Sequence, residues 1–125
     1  MSTHTILVVD DDRLVRETLC EMLSDLHCQA SAVADAHHAM AHLGLGRFDL
    51  VVSDVDMPDI SGFELLSRIR QQFGPRPDVV LMSARADNDL GRSARESGAI
   101  DFLAKPVVLD SLHSLIHRVW PNEHM

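Results

Sequence analysis

The chain has 125 residues and no Pro/Gly/Ser-rich stretch to divide it, a length that fits one domain (residues 1–125) with its own core. Its formal net charge of -8 repels nucleic-acid phosphates and anionic lipid, which argues against direct nucleic-acid binding and against an electrostatic membrane role. No apolar run approaches the ~20 residues that cross a bilayer, and Met1-Ser2-Thr3-His4-Thr5 is not a basic segment before an apolar one, so a cytoplasmic location is expected.

The first apolar run, Ile6-Leu7-Val8-Val9, shows no polar alternation. That pattern predicts a strand buried on both faces, as in a parallel sheet covered by helices. Val15, Leu19, Met22 and Leu26 then recur at helical spacing. Cys20 falls within that helix and Cys28 just beyond it, in no paired-cysteine metal spacing, so buried or half-buried free thiols are expected. A weaker strand is predicted from Ala30 to Ala34, followed by a helix capped by Asp35 and stopped by Gly44 and Gly46. His38/His42, like His113/His117 further on, stand one helical turn apart. Two ligands are too few for a zinc site, and both pairs suit solvated helix faces.

Leu50-Val51-Val52 predicts the third strand, and Ser61 with Glu64 forms a Ser-x-x-Glu capping box ahead of the third helix. Val79-Val80-Leu81-Met82 predicts the fourth strand. The segment from Asp87 to Ser97 is the weakest helix, since Asn88, Gly91 and Ser93 are poor interior formers and its apolar stripe is thin; a marginally stable, mobile element is expected. Past the stop at Gly98, Phe102-Leu103-Ala104 predicts the fifth strand, and Asp110 is expected to cap a last helix carrying Leu112, Leu115, Ile116 and Val119. Strand and helix alternate five times, the pattern of an open, doubly wound α/β sheet with helices on both faces.

In such a sheet the binding crevice lies at the carboxyl ends of the strands. The residues just past the apolar runs are Asp10, Asp11 and Asp12 after the first strand, Asp54 and Asp56 after the third, Ser83 and Ala84 after the fourth, and Lys105-Pro106 after the fifth. The second strand contributes nothing comparable, which suits an edge position. Singly, each residue has an ordinary explanation as a turn, a cap or a loop. Together, converging carboxylates repel one another and invite a hard divalent cation, Mg²⁺ or Mn²⁺. A carboxylate, a metal, a lysine and a hydroxyl are what phosphoryl transfer needs: a nucleophile and neutralisation of the equatorial oxygens.

Val8-Val9-Asp10-Asp11-Asp12, Val52-Ser53-Asp54-Val55-Asp56-Met57-Pro58, Leu81-Met82-Ser83-Ala84 and Phe102-Leu103-Ala104-Lys105-Pro106 resemble the signature of two-component response regulator receiver domains. The likeness runs from Thr5 to about Val119, and Ser61-Gly62-Phe63-Glu64-Leu65-Leu66 resembles the family's third helix. It implies a flavodoxin-like sheet of order 2-1-3-4-5, with Asp54 as phosphoacceptor. Asp10, Asp11, Asp54 and the backbone carbonyl of Asp56 would hold Mg²⁺. Lys105, before a cis peptide to Pro106, and Ser83 would contact the phosphoryl group. The resemblance makes Ser83 and Phe102 the switch pair, and Asp56 and Arg85 the residues that tune phosphoryl lifetime. Their opposite charges could pair over the site. Asp12 would cap the first helix.

The implied partners are a histidine kinase or histidine phosphotransfer domain, and an output domain or protein at the fourth helix, fifth strand and fifth helix, with homodimerisation on phosphorylation. No direct nucleic-acid or membrane partner is implied. The activity implied is that of a switch catalysing its own phosphorylation and dephosphorylation, not of a turnover enzyme. Ile100 and Leu115 are aliphatic where winged-helix regulators carry charged dimerisation residues, which disfavours that subtype. The rival readings are a haloacid dehalogenase-type phosphohydrolase, suggested by Asp54-Val55-Asp56, a flavin module, whose phosphate Asp10-Asp11-Asp12 would repel, and a receiver that scaffolds without phosphorylation.

Overall fold

A computed structural model describes residues 3–85 and 87–121; residues 1, 2, 86 and 122–125 lie outside the described residues. Among the described residues, five strands and five helices alternate: β1 (Thr5–Val9), α1 (Arg13–Asp25), β2 (Gln29–Val33), α2 (Ala36–Leu45), β3 (Leu50–Asp54), α3 (Gly62–Phe73), β4 (Asp78–Ser83), α4 (Asn88–Glu96), β5 (Asp101–Ala104) and α5 (Leu109–Val119). All strand pairs are parallel, in the order β2-β1-β3-β4-β5. The order reverses between β1 and β3, so a crevice opens where their carboxyl ends diverge.

Alternation within the apolar runs divides the core into two layers. Ile6 and Val8 of β1, with Leu50 and Val52 of β3, face Leu19 and Leu23 of α1 and Leu112, Leu115 and Ile116 of α5. Leu7, Val9 and Val51 face the other way, toward Ala36, Ala39 and Leu43 of α2, Leu65, Leu66 and Ile69 of α3, and Ala94 of α4. The central strands are buried on both faces because a helix layer covers each, which is why their sequence shows no polar alternation.

Helix ends follow local chemistry with three departures. Asp12 caps α1, accepting the N–H groups of Leu14 and Val15, and Asp35 caps α2 at His38. Gly44, expected as a stop, lies inside α2, and Gly46 is its C-cap. Only half of the Ser61–Glu64 box forms: Ser61 accepts the Glu64 N–H, while the Glu64 carboxylate turns to Arg68, 2.6 Å away. Asp110 does not cap α5, because the helix begins one residue before it with Val108 at the cap and no side-chain cap bond. It sits in the first turn, where its charge still opposes the helix dipole. α4 forms with Asp87 as its N-cap, and its buried residues are Gly91 and Ala94.

Cys28 is buried and Cys20 half-buried, both free thiols. Both histidine pairs lie on exposed helix faces, with His38 bonded to Asp35 at 2.7 Å. At the amino end of the sheet, the His4 ring stacks on Trp120 with centroids 3.6 Å apart and planes 6° from parallel. Among the described residues, no helix is long and apolar enough to cross a membrane.

Candidate functional site

Asp10 directly follows β1, where its N–H still pairs with Val33 of β2 at 3.1 Å. Its side chain is fully buried, so each carboxylate oxygen needs a partner inside the fold. Oδ1 accepts the Asp12 N–H at 2.8 Å, and Oδ2 accepts Lys105 Nζ at 2.8 Å. Asp54, at the end of β3, is 5% exposed, and its Oδ2 lies 3.3 Å from the same ammonium. Asp11 is exposed beside them, and carboxylate oxygens of Asp10, Asp11 and Asp54 lie within 4.8 Å of one another. One lysine thus stands among three acids. The remaining repulsion and the all-oxygen donor set suit a hard divalent ion.

Electrostatics match this geometry. Burial raises the Asp54 pKa above the usual carboxylate range, the Asp10 charge raises it further, and Lys105 pulls it partly back. Burial alone would depress the Lys105 ammonium, yet its hydrogen bond to Asp10 and the charges of Asp10 and Asp54 outweigh that and hold it above the ordinary lysine value. The Lys105–Pro106 peptide is cis.

The remaining expected residues surround this centre. Ser83, buried at the end of β4, accepts the Arg85 N–H at 3.0 Å, and its carbonyl accepts the Lys105 N–H at 3.0 Å, so it holds the lysine loop in place. Asp56 and Arg85 form a two-pronged pair, at 2.8 and 3.2 Å, between the β3–α3 and β4–α4 loops. Ala84 is exposed, and Phe102 is half-buried against the α2–α3–α4 layer.

Three contacts were not foreseen. Arg16 Nη1 donates to the Asp10 carbonyl at 2.9 Å, fastening the peptide between the first two acids from α1. A basic residue at that distance into the first helix was the available signal. Asp59 accepts the His37 N–H at 3.1 Å, tying the β3–α3 loop to the start of α2. Gly62 lies so close under β3 that a Cβ there would meet the Asp54 carbonyl oxygen at 2.4 Å. A glycine immediately inside a capping box was the clue.

A flavodoxin-like sheet with an acid cluster, a lysine and a serine at its carboxyl edge defines a receiver-type phosphoacceptor module. Residues 6–117 match the response regulator receiver domain, and the chain belongs to that family. It is similar to the DNA-binding transcriptional regulator NtrC of Azospirillum brasilense, 37% identical over 120 residues that cover 94% of this chain and 24% of that protein. It is also 37% identical over 111 residues to the transcriptional regulatory protein FixJ of Bradyrhizobium diazoefficiens, covering 89% of this chain and 54% of FixJ. The chain therefore spans about a quarter to a half of the length of these relatives. Among solved structures, the chemotaxis response regulator CheY4 of Vibrio cholerae superposes with a TM-score of 0.87 at 27% identity, covering 94% of this chain and 99% of that one.

Membership makes the chain a phosphoacceptor domain of two-component signal transduction, and the phosphohydrolase reading is not favoured. Receiver domains interact with histidine kinases and output domains, generally bind Mg²⁺ at an acidic pocket, and are not in general catalytic enzymes.

Proposed function

We propose that residues 1–125 act as one cytoplasmic receiver domain, its core at about residues 5–119, in which Asp54 accepts a phosphoryl group from a histidine kinase or histidine phosphotransfer domain. One observation carries this reading: the Lys105 ammonium stands 2.8 Å from Asp10 and 3.3 Å from Asp54, in a cleft where Asp11 completes three converging carboxylates. Mg²⁺, or Mn²⁺, would be held by Asp10, Asp11, Asp54 and the Asp56 carbonyl. When bound, the metal neutralises charge on the phosphoryl oxygens and keeps Asp54 ionised.

The side chains divide the remaining work. An Asp54 carboxylate oxygen attacks phosphorus, forming the O–P bond as the donor's bond to phosphorus breaks and its leaving group departs with the electron pair. Lys105, fixed by Asp10, offers its charge to an equatorial oxygen. Ser83 trades its bond with the Arg85 N–H for one to the phosphoryl group, and the β4–α4 loop follows it. Phe102 turns into the vacated space, so the output surface is α4, β5 and α5, where an output domain, a protein partner or a second copy docks. The same cleft catalyses the acyl phosphate's hydrolysis, and the Asp56–Arg85 pair across its mouth slows water entry.

An apolar groove of about 180 Å³, lined by Leu14, Val15, Thr18, Leu19 and Met22 of α1 with Lys105-Pro106-Val107, supports an approach of the donor along α1. Lys105 is among its lining residues, and Leu14, also lining it, is 72% exposed, which suits a docking helix.

The test is labelling by acetyl phosphate with Mg²⁺, read by intact mass and peptide mapping. One phosphoryl group per chain on Asp54 is expected, and none on Asp54→Asn. Labelling of that variant at the parental level would move the nucleophile elsewhere.

A further inference from the structure

The output face carries a charge cluster that the phosphoacceptor chemistry does not use. Asp101, the first residue of β5, has a side chain only 14% exposed, yet it meets three elements. Its Oδ1 accepts the Phe102 main-chain N–H at 2.8 Å and Arg95 Nη2 at 3.3 Å. Its Oδ2 accepts Arg118 Nε at 3.0 Å, with Arg118 Nη2 also in contact. Arg95 stands in the last turn of α4 and Arg118 in the last turn of α5. A carboxylate this enclosed needs partners, and the Phe102 N–H and the two arginines supply them.

The two attachments differ. Arg118 closes on one oxygen with two nitrogens, while Arg95 brings one nitrogen at a longer distance to an oxygen already engaged by a main-chain N–H. On the sheet side, α4 has little else to hold it: its buried residues are Gly91 and Ala94. Gly91 also leaves room for the Phe102 ring, whose Cδ2 would lie 3.7 Å from a Cβ at that position. The switch aromatic, the weakest helix and the charge cluster therefore meet at one node.

We infer that Asp101 is a brake on the output face. Through Arg95 it holds α4 against β5 in the unphosphorylated state, and because the Arg118 side is the tighter of the two, α4 lets go while α5 stays attached. The inference rests on the reading of α4, β5 and α5 as the output surface. Its own content is that a single weak ion pair sets how far the balance lies toward rest. By linkage, if phosphorylation favours a free α4, then whatever loosens that pair favours phosphorylation, by at most the factor by which it frees α4. An exposed arginine's pair is screened by salt, so ionic strength is a second handle.

Amide hydrogen exchange over Asn88–Glu96 tests this in the full chain, with and without acetyl phosphate and Mg²⁺. Arg95→Gln, an exposed substitution that leaves Asp101 paired to Arg118, should raise exchange of α4 in the unphosphorylated protein at least threefold, toward the phosphorylated parent's level. The fraction phosphorylated at limiting donor should rise in step. Moving the parent from about 0.05 to 0.5 M salt should do the same, and Arg95→Gln should be insensitive to that change. Arg118→Gln should loosen α5 more than α4. If α4 exchange in the parent never responds to phosphorylation, the output-face reading falls and the brake with it. If the parent responds but unphosphorylated Arg95→Gln keeps parental protection, the output face stands and the brake is overturned.

Discussion

Replacing Gly62 by alanine places a methyl group 2.4 Å from the Asp54 carbonyl oxygen, with Val55 Cα at 3.1 Å and the Asp54 carbonyl carbon at 3.2 Å. Every neighbour is backbone, so no side chain can swing aside. Restoring an ordinary contact takes a shift of ~1 Å in the start of α3 or in the end of β3, an overpacking that costs about 1–3 kcal/mol. Alanine returns at most ~1 kcal/mol of helix propensity, so a net loss of about 1–2 kcal/mol and a fall in Tm of roughly 3–10 °C are expected. The residue displaced is the proposed nucleophile, so labelling of Asp54 should also slow by ~10- to 100-fold. Gly44 is the matched control, because a Cβ there meets nothing within 4 Å. Gly44→Ala should raise stability by ~0.5–1 kcal/mol and leave labelling unchanged. Thermal unfolding and timed acetyl phosphate labelling of the two variants decide the matter. A Gly62→Ala protein that melts with the parent and is labelled at its rate would refute the reasoning.

The raised pKa of Asp54, from burial first and the Asp10 charge second, means that the folded state binds this proton more tightly than the unfolded chain. Its contribution to stability therefore falls as pH climbs from the ordinary value of ~3.9 through the folded-state value, and returns on acidification across that window. Metal-free Asp54→Asn should accordingly melt above the metal-free parent at pH 7, with the gap closing toward pH ~4; a gap that widens on acidification contradicts the sign. Mg²⁺ should stabilise the parent by ~2.7 kcal/mol at a hundredfold excess over Kd and so raise its Tm, and an equal rise in a protein lacking both Asp10 and Asp11 carboxylates would remove them from the site. Arg85→Ala breaks a pair whose side chains are 64% and 59% exposed, so solvent screening should leave the stability and Tm nearly unchanged. The acyl phosphate should nevertheless decay several-fold faster after donor removal, and an unchanged half-life argues against a lid.

The sheet and its site were legible wherever burial left a continuous apolar run ending in a charged residue. β1 and β3 announced themselves this way, and the first charged residues after their apolar runs, Asp10 and Asp54, are the buried acids. The Asp12 cap needs only short spacing, and the Asp56–Arg85 pair could be anticipated because the receiver resemblance sets these opposite charges beside Asp54 and Ser83. Helix starts were harder, since several residues can cap: Asp110 has the right chemistry, but α5 begins earlier, once Leu112, Leu115 and Ile116 are turned inward by packing. The contacts of Arg16, Asp59 and Asp101 escaped the sequence because each joins segments whose relative distance exists only after the sheet has assembled. Long polar side chains advertise their charge but not their reach.

The stacked pair His4–Trp120 has a consequence for any optical study. The chain contains one tryptophan and no tyrosine, so nearly all near-ultraviolet emission arises at that one ring. It lies where β1 begins and α5 ends, roughly 16 Å along the five-residue strand from the acids at the other pole. A fluorophore so placed is blind to simple filling of the cleft by an ion or a phosphoryl group. A spectral change seen on phosphoryl transfer would have crossed the length of the sheet, and would measure how strongly the two poles are coupled rather than how full the site is.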